Sequence, residues 1–199
     1  MEITSTVVGP MSNNAYLLTD SGEGLLVDAP ADALALLALI GDTPIGTLVT
    51  THRHHDHLGA LAEIASHTGA RLVAGAPDAA AIEAATGVSI DDRVWDGDHV
   101  HVGAVRLEVI GLVGHTPGSV TLAWTPEHGA AHLFVGDSLF PGGAGKTTTP
   151  EDFRSLMTDL EAKIFGRFGD DTVVHPGHGD PTTLGKERPH LREWWDRGW

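Results

Sequence analysis

A chain of 199 residues, 41% hydrophobic and 20% charged, is long enough to bury a substantial core and is not composed like a disordered one. Its formal net charge of -15 argues against a nucleic-acid or anionic-membrane partner, since both select basic surface. With no cysteine and 13 histidines, disulfides and thiolate ligands are excluded, and any metal ligand must be His, Asp or Glu.

The N-terminus lacks the basic segment of a signal peptide, and no apolar run approaches the ~20 residues of a membrane span, so a cytoplasmic protein is expected. Residues 3–8 are β-branched and predict a strand ended by Gly9-Pro10. Strands at 15–19 and 24–27 follow, joined by a hairpin turn at 20–23. Asp28 then sits at a strand end, where it is either a turn residue capping the next helix or a support for a nearby site. Residues 31–40 read as an apolar helix closed by Gly41, and 45–50 as a strand. A helix is predicted over 58–67, a strand over 71–74 and a helix with Pro near its start over 77–85. Residues 94–102 and 105–111 read as a hairpin whose His99 and His101 alternate with Val and face solvent. Strands are expected at 120–125, 133–135 and 172–174. Between the last two lie a Gly-rich loop over 138–149 and a capped helix from 150, whose Phe153, Leu156, Met157, Leu160 and Ile164 form one apolar face. The polar tail carries Trp194, Trp195 and Trp199, expected to dock on the domain or on a partner chain, which leaves a homodimer open. No linker or repeat interrupts residues 1–199, so one α+β domain is expected, built from two mixed sheets face to face with helices outside.

The chemistry concentrates at strand ends. The strand over 45–50 runs into Thr51-His52-Arg53-His54-His55-Asp56-His57, which presents three ligand-type imidazoles and a carboxylate as His-x-His-x-Asp-His. Three more turns each place one ligand-type side chain beside a glycine: His115 in Gly114-His115-Thr116-Pro117-Gly118-Ser119, Asp137 after Gly136, and His178 in Pro176-Gly177-His178-Gly179. Five His and two Asp can fill two adjacent sites, and a metal pair roughly 3.5–4 Å apart can hold a hydroxide between its ions.

In order and spacing these four motifs resemble the metallo-β-lactamase superfamily across almost the whole chain. The resemblance implies a four-layer αββα sandwich with the site at one edge of the two sheets. It also implies one metal on His52, His54 and His115, a second on Asp56, His57 and His178, and Asp137 bridging them. Asp56 would orient the hydroxide. Two divalent ions are implied, zinc first, with iron and manganese also suited to His/Asp sites. Asp28 falls where the family keeps an Asp that steadies the metal-binding loop. The β-lactamases with a Cys ligand are excluded by composition, and Asp137 disfavours those without a bridging Asp. Tyr16 lies too far upstream to match the Tyr of lactone-cleaving members.

The segment Gly136-Asp137-Ser138-Leu139-Phe140-Pro141-Gly142-Gly143-Ala144-Gly145-Lys146 resembles the glyoxalase II branch, in which Lys146 matches a basic residue contacting a carboxylate of the substrate's thiol part. Thr148 stands where that branch has Tyr, and its C-terminal helical domain has no counterpart here. The expected function is hydrolysis of a small acyl-thiol ester, of glutathione or an equivalent thiol such as mycothiol. The alternatives are a persulfide dioxygenase using a single iron, or another small-ester or lactone hydrolase of this fold.

Overall fold

The computed structural model of the protein describes residues 1–198. Two six-stranded sheets dominate it. The first runs in chain order: β1 (Glu2–Val8), β2 (Asn13–Asp20), β3 (Glu23–Val27), β4 (Ile45–Thr50), β5 (Arg71–Gly75) and β6 (Asp92–Val94). Hairpins make β1–β3 antiparallel, whereas helical crossovers make β3–β6 parallel. The second contains β7 (His99–Val102), β8 (Val105–Leu112), β9 (Ser119–Trp124) and β10 (His132–Gly136). A small hairpin of β11 (Leu139–Phe140) and β12 (Gly143–Ala144) follows, and β13 (Val173–Pro176) and β14 (Thr182–Thr183) complete the order β14-β13-β10-β9-β8-β7.

The central strands of each sheet are buried on both faces, so they read as near-continuous apolar runs, whereas the edge strands β1 and β7 keep exposed positions. Leu25 and Val27 of β3, Val49 of β4, Leu107 and Val109 of β8 and Phe134 of β10 fill the space between the sheets. Their neighbours Leu26 and Leu48 face α1 (Ala33–Ile40), α2 (Leu61–Thr68) and α3 (Ala76–Thr86). On the far side Ile110, Leu112, Leu133 and Val135 meet α4 (Pro150–Asp159), which continues as a wider π-helical stretch over Leu160–Phe165. The layers are therefore helix, sheet, sheet, helix. Among the described residues, no helix is long and apolar enough to cross a membrane.

Four sequence expectations need correction. Residues 94–102 are not one strand. Asp92–Val94 completes the first sheet and His99–Val102 opens the second, because Asp96 and Asp98 turn the chain at Trp95–Gly97 by bonding the Gly111 and Trp95 amides. The helix expected from Leu58 begins at Leu61, since residues 55–57 form a 3₁₀ turn that aims the ligand-type side chains. The glycine-rich loop holds the β11–β12 hairpin. The polar tail is largely helical: α5 (Leu184–Glu187), a 3₁₀ turn at Arg188–His190 and α6 (Leu191–Arg197) pack over the second sheet. There Trp194 is buried, and Trp195 stands edge-on to Phe153 while donating to Glu161. Trp199 lies outside the described residues.

Candidate metal centre

Asp28 follows β3, His52 to His57 follow β4, His115 precedes β9, Asp137 follows β10 and His178 follows β13, all at one edge of the two sheets. Backbone bonds join the two sheets there, the Val120 amide donating to Thr51 and that of Asn14 to Gly177, while the Gly177 amide donates to Gly136 within the second sheet. A Cβ at Gly177 would overlap the Asp137 carboxylate, so a glycine is required for the His178 turn to pass behind it.

Three groups of potential ligand atoms result, each within 4.8 Å of one another: His52, His54 and His115; His52, His57 and Asp137; and Asp56, His57 and His178. Asp137 is common ground. Its Oδ2 lies 4.0, 3.7 and 3.4 Å from Nε2 of His52, His115 and His178, and its Oδ1 lies 3.4 Å from Nε2 of His57. Lys146, predicted to meet the substrate, lines an open cleft of about 450 Å³ with His54, His115, Thr147 and Thr148. Arg53, His55, His67, His99 and His101 lie outside these groups.

The ring hydrogen bonds test whether a metal fits. A backbone carbonyl or an ionised carboxylate can only accept, so the ring nitrogen facing it must carry the proton. Thus Nδ1–H of His115 donates to the Lys146 carbonyl (2.7 Å), that of His178 to the Met11 carbonyl (3.0 Å) and that of His57 to Asp28 Oδ2 (2.9 Å). His52 completes the set through Thr51, whose hydroxyl donates to Asp28 Oδ2 (2.8 Å) and accepts from the ring (3.0 Å). With Nδ1 engaged outward, all four rings turn Nε2 toward Asp137. Among the described residues, the buried Nε2 atoms of His52 and His115 and Oδ1 of Asp137 have no hydrogen-bond partner. Convergent lone pairs left unsatisfied in a buried site are costly unless a cation takes them. The donor set suits a divalent metal, and outer-partner control of each imidazole is how metal-site histidines are held.

Charge divides the cluster. Burial holds His52, His54 and His115 below the ordinary imidazole range, and neighbouring rings deepen the effect. For His57, burial acts in the same direction, but Asp28 and Asp137 outweigh it and lift the ring to about 10. His178 is raised mainly by its contact with Asp137. Asp137 stays ionised despite burial, because His178 and His57 hold it far below the usual carboxylate range.

Asp28 does not cap the helix that follows it, whose cap is Asp32. Its carboxylate accepts from the Thr51 amide (2.7 Å), the Thr51 hydroxyl and His57, behind the rings of His52 and His57. The residue adopts φ +61°, a conformation that an Asp tolerates better than most side chains. Asn13 escaped sequence reasoning. Its Nδ2 donates to Asp56 Oδ2 (2.9 Å) and approaches His178 Nε2 (3.4 Å), but it precedes its partners by 43 and 165 residues and belongs to no local motif. Asp78 escaped for the same reason. Fully buried in α3, it bonds both the His52–His54 segment and the loop after His115.

Residues 8–178 match the family described as the Metallo-beta-lactamase superfamily. The chain belongs to that superfamily. It is 36% identical over 171 residues to a hydroxyacylglutathione hydrolase of Polaromonas sp. (strain JS666), a match covering 83% of this chain and 62% of that relative. It thus spans about six-tenths of that longer protein. With hydroxyacylglutathione hydrolase GloC of Haemophilus influenzae it shares 28% identity over 193 residues, covering 88% and 89% of the two chains. Among solved superfamily structures, the BLEG-1 B3 metallo-beta-lactamase superposes with a TM-score of 0.82 at 26% identity, over 96% of this chain and 98% of that one. The αββα layering is therefore the superfamily's, and the His/Asp cluster occupies its sheet edge.

Proposed function

We propose that the protein is a metal-dependent hydrolase of small, acidic acyl-thiol esters. In this reading His52, His54 and His115 hold one divalent ion, Asp56, His57 and His178 hold a second, and Asp137 lies between them. Zinc suits that donor set, and so do iron and manganese. When bound, such ions supply Lewis acidity toward the ester carbonyl and a water that ionises near neutral pH. The observation that carries the reading is the convergence of four Nε2 atoms on Asp137 with their Nδ1 protons turned outward. Kinship to proteins named hydroxyacylglutathione hydrolase supports the thioester class.

The chain's own residues then have distinct tasks. Asn13 fixes the Asp56 carboxylate, so that Asp56 can accept a hydrogen bond from the attacking water and set its direction. Attack forms the new carbon–oxygen bond and breaks the carbon–sulfur bond, so that the acyl part leaves as a carboxylate, the carrier as a thiolate, and the two protons of the water pass to solvent. Lys146 is exposed beside His54 and His115, and among the described residues no carboxylate lies within ion-pair distance of it, in contrast to Lys163 with Asp159 and Asp96. In a chain of net charge -15, an unpaired ammonium at the mouth of the cleft is suited to an acidic group on the thiol carrier.

The test is a substrate panel with metal content measured alongside: lactoyl and formyl thioesters of glutathione, mycothiol and coenzyme A, plus a chromogenic β-lactam. Thioester turnover by metal-loaded protein is expected, with Lys146→Ala raising KM about tenfold and leaving kcat within about twofold. No thioester turnover, or one iron per chain coupled to oxygen consumption on a persulfide, would overturn it.

A further inference from the structure

Asp78 is 0% exposed, and its carboxylate does not serve its own helix. It lies in the first turn of α3, where an acid ordinarily offsets the free amides, and the cap residue Gly75 contributes no side chain. Its oxygens instead point out to two other segments. Oδ2 accepts from the backbone amide of Arg53 (3.1 Å) and from the hydroxyl of Thr116 (2.5 Å), and Oδ1 accepts from the backbone amide of Gly118 (3.0 Å). The Thr116 hydroxyl is also 2.7 Å from that of Ser119, which closes the network. One positive group stands near, the half-exposed Arg53 guanidinium, with Nε 3.6 Å from Oδ1.

The two segments so joined carry the three histidines of one ligand group. Arg53 lies between His52 and His54, and Thr116 and Gly118 follow His115. The rings meet edge to face across this junction, with centroids 4.8 Å apart for His52 and His115 and 4.5 Å for His54 and His115. The junction is tight enough to dictate sequence, because a Cβ at Gly118 would overlap the Asp78 backbone and carboxylate. Asp28 works differently: it reaches His57 directly and His52 through Thr51, but has no bond to the His115 loop.

We propose that Asp78 is a positioning residue for the metal centre: its buried carboxylate clamps the His52–His54 segment to the His115 loop and so sets the spacing of those three ring nitrogens. The inference rests on the reading that these histidines share an ion. A buried carboxylate with three donors is costly to disturb, since removing it leaves the Arg53 and Gly118 amides without their acceptor. Outer partners of metal-bound histidines typically control affinity by roughly ten- to a hundredfold.

The experiment is a stepwise zinc(II) titration against a chromophoric chelator, for wild type, Asp78→Asn and Thr116→Val, with far-UV circular dichroism and thermal unfolding of each metal-free protein. Asp78→Asn keeps the shape but puts an amide donor against donors. One zinc equivalent should weaken about ten- to a hundredfold, with any other equivalent within about threefold. The visible absorption of the cobalt(II)-substituted protein should shift as well. Thr116→Val removes one of the three bonds and should give a smaller selective loss, so it carries the test should Asp78→Asn fail to fold. Unchanged affinities in a folded variant, or an equal loss at every equivalent, overturn the inference alone. A wild type that binds no divalent metal overturns the metal reading and the inference with it.

Discussion

The two ends of the histidine cluster are built from the same side chains under opposite electrostatics. His52, His54 and His115 are held neutral, mainly by burial, and none has a carboxylate within hydrogen-bond reach. His57 and His178 are also partly or fully buried, yet carboxylates touch them: Asp28 and Asp137 for the first, Asp56 and Asp137 for the second. Both rings are accordingly raised, His57 to about 10 and His178 in the same direction. Burial alone thus does not decide the charge of a buried imidazole; the nearest acceptor does. One end is prepared to receive a cation directly, while the other stores protons that a cation must displace.

The largest effect should come from removing what the two ends share. Asp137→Asn keeps the shape and deletes the charge facing four rings, so the tightest zinc affinity should fall by more than about a hundredfold, beyond the usual cost of an outer partner. Equilibrium dialysis with metal analysis checks this; unchanged zinc retention would mean that Asp137 is not central to the cluster.

The next effect separates the ends by pH. Rings whose pKa is depressed are already neutral above pH 6.5 and lose no protons on binding. His57, lifted to about 10, is protonated over that range and must release a proton, and His178 is shifted in the same direction by Asp137. Between pH 9 and 6.5 the affinity at the Asp56–His57–His178 end should therefore drop about tenfold per unit for each proton displaced, while the other end stays level. Parallel pH slopes for both equivalents would break the contrast.

A smaller effect tests burial without a carboxylate. His175 packs flat on Phe134 and edge-on to Tyr16, and shares a 3.0 Å ring contact with His132. Burial, and then His132, push it down to about 4. The sign follows: the folded state binds fewer protons than the unfolded chain, so its contribution is present above pH 6.5 and is lost as pH falls toward 4. That loss is up to roughly 3 kcal/mol. His175→Gln, which can keep the bond to His132, should flatten the acid limb of urea unfolding curves taken on metal-free protein over that window. An unaltered limb would show that His175 does not carry it.

Much of this was legible in the chain itself. The strand-to-loop transitions at Thr50, Val135 and Val174 and the residues His52, His54, Asp56, His57, His115, Asp137 and His178 are local patterns, each a few residues long, because a strand end and a turn are decided by neighbours. Lys146 was singled out only by the resemblance of the segment that follows Asp137, and the fold places it in the cleft beside His54 and His115. Tertiary structure alone decided what stands behind them. Asp28 could be placed at a strand end, but its bonds to Thr51 and His57 depend on β3 lying beside β4. Asn13, the first residue of β2, and Asp78, in the first turn of α3, meet partners at separations of 25 to 165 residues. The split of protonation between the two ends was equally invisible, because a pKa depends on burial and on the nearest charge, and neither exists until the sheets have packed. Residue types and spacing therefore determined which atoms can hold a cation, and packing determined how firmly each is held and at what cost in protons.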